Sequence, residues 1–168
     1  MLFRSTVAGR GAVVLHALAT GERTVLHQDP ERSVGNIAWS GDGRWLYFFQ
    51  DRGGDEGYHL YRLDPRQSPA RAVDLTPFPG AVAEAIATPV ALPDRVLVAL
   101  NRRDPERPDA YSVDLATGAL TEQVRNDGRF VEYFADGQGR IGATGARCRV
   151  QSGKAMASIE QASESSSM

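Results

Sequence analysis

The chain has 168 residues, 42% of them hydrophobic, with 19 basic and 21 acidic side chains for a formal charge of -2. That length and apolar content suffice for one ordinary core, and so small a net charge gives no field to draw nucleic acid or an anionic membrane surface. The single cysteine, Cys148, can close no internal disulfide, so the fold is expected to owe nothing to oxidation and a cytoplasmic location is expected.

The first residues, MLFRSTVAGRGAVVLHALATG, superficially follow a signal peptide in their basic residues, short apolar run and small residues. His16 interrupts that run, and a strand starting near Ala12 explains it better. No stretch approaches the ~20 apolar residues needed to span a bilayer. VVLHAL, then the turn ATGE, then RTVL reads as strand, turn, strand.

The densest apolar pattern follows at residues 36–64. Ile37 to Trp39 and the run WLYFF at 45–49 flank SGDGR, whose residues tolerate positive φ and allow a tight reversal. WLYFF places apolar side chains on both faces of the pleat, so this strand must be covered on both sides. After a polar loop, YHLYRLD at 58–64 returns as a third strand. An antiparallel meander sandwiched between similar sheets is a propeller blade.

Both hairpins recur. LATG at 18–21 returns at 115–118, and LYRLD at 60–64 matches YSVD at 111–114 in its Tyr, branched apolar residue and Asp. Arg44, Arg95 and Arg140, 51 and then 45 residues apart, each follow a turn and precede an apolar residue. That spacing is within the range of one four-stranded blade per repeat. The fold class expected is all-β, an incomplete β-propeller with about three blades' worth of strands over residues 1–150. Its parts fall at about 12–27, 36–75, 86–124 and 130–145: two final strands, two whole blades and two initial strands. Residues 151–168, a third of them serine, lack alternation and are expected to be a disordered tail.

The stretches WSGDGRWLYFFQDRGGDEGYHLYRLD, DLTPFPGAVAEAI, LVALNRRDPERPDAYSVDLATGAL and NDGRFVEYFADGQGRIGATG, in that order, resemble the β-propeller of bacterial prolyl oligopeptidase-family serine peptidases, the dipeptidyl aminopeptidase and acylaminoacyl peptidase group. The resemblance covers about residues 13–145. It implies a propeller that caps a hydrolase site and screens peptides, with peptides and a serine, aspartate and histidine hydrolase domain as partners. A nucleophile elbow needs glycine two residues to either side of a serine. Ser40 has Ala38 and Asp42 there, and Ser152 has Val150 and Lys154, so no catalytic residue carries over and the chain itself is not read as an enzyme.

His16, His27 and His59 are too scattered for a metal motif and read as structural, so neither metal nor cofactor is expected. Asp51, Arg52, Asp55 and Glu56 form a charged loop that reads as solvated rather than as a calcium site. That loop and Asn101-Arg102-Arg103-Asp104 both follow the second strand of their repeat. Asp55, Glu56, Arg102 and Arg103 are therefore expected near one another on one rim. There they either contact a peptide's charged ends or form ion pairs between blades. Trp39, Trp45, Tyr47, Phe48 and Tyr61 read as packing between blades. The alternative function is a stand-alone interaction scaffold, and open blade edges predict self-association.

Overall fold

The computed structural model describes residues 2–7, 10–32, 34–51 and 53–145. Among them thirteen strands form four antiparallel sheets. The first holds β1 (Leu2–Val7), β2 (Arg10–His16) and β3 (Arg23–Gln28). The second is a complete blade of β4 (Gly35–Trp39), β5 (Leu46–Gln50), β6 (His59–Leu63) and β7 (Ala72–Asp74). The third repeats it with β8 (Ala83–Ala87), β9 (Arg95–Leu100), β10 (Asp109–Asp114) and β11 (Leu120–Val124). The fourth holds β12 (Glu132–Ala135) and β13 (Ile141–Thr144). This is an incomplete β-propeller. Cys148, Arg52, Ser152 and the serine-rich stretch 151–168 lie outside the described residues.

The repeated LATG turns show how the first sheet aligns with the others. Gly21 and Gly118 sit at φ 74° and 75°, where a side chain would be strained. Each donates its N–H to the carbonyl four residues back, of Ala17 and Asp114, at 2.8 Å. The N–H of Ala17 and of Asp114 donates in turn to Glu22 and Ala119, at 2.9 Å in both turns. So β2 and β10 are equivalent third strands, which makes β1 a second strand. The first sheet therefore carries three strands, one more than the alternation pattern indicates. LFRSTV shows no clean apolar alternation in its sequence, and it is placed by continuous backbone pairing from Leu2↔Leu15 to Val7↔Arg10.

The second strand of each complete blade is buried along nearly its whole length. Period-2 alternation sends Leu46 and Phe48 toward the first sheet, where they meet Val13, Leu26, Val34 and Leu63. Tyr47 and Phe49 point the other way and meet Val96, Val98, Leu100, Tyr111 and Val113. Each such large side chain contributes about 1.5–3 kcal/mol on burial. Trp39 departs from the expected core set: it ends the first strand of its blade and is 36% exposed.

Blades are also joined turn to turn. Asp42 N–H donates to Pro93 O at 3.1 Å, and Ala91 N–H to Gly137 O at 3.0 Å, linking equivalent hairpin turns of the second, third and fourth sheets. Gly41 is needed for the first of these contacts, since a Cβ there would stand 2.8 Å from Pro93 Cα. These turns emerge on one rim. In an antiparallel meander the loops after the second strands, 51–58 and 101–108, and the linkers between blades must emerge on the other. No helix among the described residues is long and apolar enough to cross a membrane.

Candidate functional site

The second rim carries all four residues singled out by the sequence. Its foundation is a pair of buried aspartates. Asp51, at the end of β5, is 3% exposed and receives Arg32 Nε at 2.8 Å, with a second bond from Arg32 Nη2. Arg32 comes from the linker before β4, so the pair ties the entry of a blade to its middle. The Arg32 guanidinium, against the cost of burial, holds the Asp51 carboxyl below the usual carboxylate range.

The Glu56 N–H is also bonded to Asp51, and the loop bends sharply to bring it there. Gly53, Gly54 and Glu56 have φ of 60°, 89° and 57°. A left-handed conformation is uncommon for a non-glycine residue, and Glu56 adopts it on an exposed loop. Gly54 faces the Arg32 guanidinium, 3.1 Å from where its Cβ would be. Asp55 turns one carboxylate oxygen onto the Gly57 N–H at 3.0 Å. Asp55 and Glu56 are both exposed on the rim.

The neighbouring loop is built on Asp109, fully buried at the start of β10. Arg103 grips it with Nε at 2.9 Å and Nη2 at 2.8 Å, and Nη2 also donates to Asn126 O at 2.7 Å. Asn126 N–H adds a bond to Asp109 Oδ1 at 2.7 Å. Burial alone would raise the Asp109 carboxyl, but Arg103 and the Asn126 N–H outweigh it and the net shift is downward. Arg103 is thus engaged within its own blade and with the linker to the fourth sheet. From β12, Tyr133 Oη donates to Pro108 O at 2.9 Å, and burial pushes the phenol up to about 12.

Arg102 has a different neighbour. Its Cζ lies 4.2 Å from the centroid of the Phe78 ring, over the linker between the two complete blades. The two rim loops are joined through the start of β8: Ala83 N–H donates to Tyr58 O at 2.7 Å, and Val82 N–H to Asn101 Oδ1 at 2.5 Å. Asp55 and Glu56 therefore share a rim with Arg102 and Arg103 on adjacent blades.

The DLTPF stretch supports this rim from below. Asp74 Oδ2 lies 2.8 Å from His59 Nδ1, Leu75 enters the core, and Thr76 Oγ1 accepts the Leu60 N–H at 2.9 Å. His27 shares a hydrogen bond with Gln50 Oε1 at 3.0 Å and lies 5.0 Å from the Phe48 ring. Among the described residues no group of three His, Cys, Asp or Glu is placed to hold a metal ion. Sequence reasoning missed Arg32, Asp109 and Asn126. Its one available signal was an aspartate at each edge of the two polar loops.

No protein-family model matches the chain. Dipeptidyl aminopeptidase BIII from Pseudoxanthomonas mexicana is 38% identical over 109 residues, 65% of this chain and 16% of that protein. Among solved structures, TolB from Acinetobacter baumannii superposes on 95% of the chain and 37% of its own, with TM-score 0.55 and 17% identity. Prolyl oligopeptidase B from Galerina marginata superposes on 88% of this chain and 22% of its own, with TM-score 0.62 and 16% identity. At such identities the two structures speak to the fold. The chain is an all-β domain similar in sequence to part of a dipeptidyl aminopeptidase and similar in fold to the β-strand domains of TolB and a prolyl oligopeptidase, and it spans about a sixth of the length of that aminopeptidase.

Proposed function

We propose that this chain is the non-catalytic propeller segment of a prolyl oligopeptidase-family serine peptidase, where it caps the active site and screens peptides on their way in. The observation that carries the reading is the 38% identity to a dipeptidyl aminopeptidase over 109 residues; a rim with charges of both signs on adjacent blades fits it. On that rim Asp55 and Glu56 attract the ammonium end of a peptide, while Arg103 shapes the neighbouring loop through Asp109. The lone cysteine supports a cytoplasmic setting. A chimera tests the reading. Residues 12–145 would replace the corresponding part of the Pseudoxanthomonas enzyme, and cleavage of a dipeptidyl arylamide would be compared with cleavage of casein. Cleavage of the arylamide without cleavage of casein is expected. A chimera that cuts the arylamide and casein alike would sink the capping role.

The open edges favour a second reading, a self-associating scaffold. Among the described residues β13 pairs on one side only, with β12, although its counterparts β5 and β9 are paired on both. Light scattering with thermal melting separates the two. A discrete oligomer that melts cooperatively favours the scaffold, and polydisperse association without a transition favours the peptidase segment.

A further inference from the structure

We infer that Arg102, whose guanidinium carbon lies over the Phe78 ring, is a binding position for a peptide carboxylate. The inference rests on the peptide-screening reading and adds the chemistry of the second peptide group that the rim would recognise.

Both halves of the platform are fixed by their surroundings. Phe78 donates its N–H to Thr76 O at 2.7 Å, accepts the Ala81 N–H at 3.1 Å, and packs its ring against the core between the two complete blades. Arg102 is bracketed by two anchored neighbours. Asn101 is bonded through its side chain to Val82 N–H and to Pro105 O, and Arg103 is clamped on Asp109. The backbone at Arg102 therefore has little freedom, and the ring contact places the guanidinium over Phe78.

A guanidinium lying on a ring keeps its N–H donors in the plane, where they match the two oxygens of a carboxylate. Arg32, Arg66, Arg103 and Arg140 already use theirs on aspartates of this chain. Arg102 is exposed, and among the described residues its contact is the ring. The nearest acid in sequence, Asp104, is committed to its own turn, accepting the Glu106 N–H at 3.0 Å and lying 3.8 Å from Arg107 Nε. On the adjacent blade Asp55 and Glu56 offer the opposite charge. One exposed guanidinium in water gives weak affinity, with a dissociation constant no tighter than about 1 mM, which suits a peptide in transit.

The full chain, labelled with nitrogen-15, would be titrated with three peptides while the Arg102 side-chain Nε–H resonance is followed. Trialanine amide has no carboxylate, N-acetyl-trialanine has a C-terminal one, and N-acetyl-Ala-Glu-Ala amide has only a side-chain one. A saturable shift with one or both of the last two and none with the first is expected, and which peptide responds tells the source of the carboxylate. Arg102→Gln should weaken the response, read on neighbouring backbone amides, at least about tenfold. Its melting temperature should stay within about 2 °C of the parent. Equal shifts with trialanine amide, no shift with any peptide, or an undiminished response in the variant would each overturn the assignment. A chimera that still excludes casein while Arg102 ignores carboxylates would leave the capping role standing and remove only this one.

Discussion

The two interfaces on either side of the second sheet use the same strand positions and fill them differently. Toward the third sheet Val96, Val98, Leu100, Val113 and Leu115 meet Leu60 and three buried rings, Tyr47, Phe49 and Tyr111, none of these described rings stacked on another. Toward the first sheet a row of stacked rings crosses a mostly aliphatic cluster: His27 stacks on Phe48 at 5.0 Å, Phe48 on Tyr61 at 5.4 Å, and Tyr61 on His59 at 6.4 Å. Polar pairs border that second interface, His27 with Gln50, His59 with Asp74 and Arg32 with Asp51. Alternation alone requires that both faces be covered. It leaves open whether shape or directional bonding does the covering.

That contrast can be broken most severely at Phe48, which is fully buried in the ring row. Phe48→Ala should cost about 3–5 kcal/mol in urea unfolding followed by circular dichroism. Leu100→Ala, in the other interface, should cost about 2–4 kcal/mol. A smaller loss at Phe48 than at Leu100 would show that the ring row is the looser of the two.

Next in size is Asp109→Ala, which removes the acceptor for Arg103 and for the Asn126 N–H and should cost about 2–3 kcal/mol. Asp51→Ala should follow in the same direction. Both carboxyls are held below their ordinary value in the folded chain. Their stabilisation is therefore complete above the unfolded carboxyl range of about 4 and is lost as pH falls through the folded values. Thermal melts from pH 7 to pH 2 should show this acid loss in the parent and a shallower one in each variant. Identical acid profiles would remove the aspartates from that role.

Gly41→Ala should cost about 1–2 kcal/mol, because the added methyl meets Pro93 backbone and forces the turn-to-turn contact apart. Thr76→Val should cost about 1 kcal/mol by leaving the buried Leu60 N–H without its acceptor. The smallest effect belongs to Arg66→Ala. Its pair with Asp64 is open to water, and the melting temperature should not move measurably.

The blades themselves were legible because their signals are local. WLYFF shows both faces at once, SGDGR and LATG supply the turn residues, and the recurrence of LATG alone predicts two like hairpins. The shared rim of the loops at 51–58 and 101–108 was legible too, since both follow a second strand. What each charged residue holds was not. Asp51 lies in DRGGDEG and reads as a solvated loop residue, yet it is buried under Arg32, which lies 19 positions earlier. Asp109 and Asn126 meet across 17 positions, through a blade edge that no short window contains. Trp39 shows the opposite error: its strand spacing suggests core, but the end of an edge strand leaves it partly open.

By itself, then, the sequence determined the strands, their turns and the need for cover on both faces, because these follow from side-chain alternation and backbone allowances within a few residues. Only the tertiary structure decided which aspartate meets which arginine, why Arg102 rests on Phe78, and which interface stacks its rings. Those choices depend on how neighbouring sheets stack and where their loops cross, and stacking brings together residues that no local pattern relates.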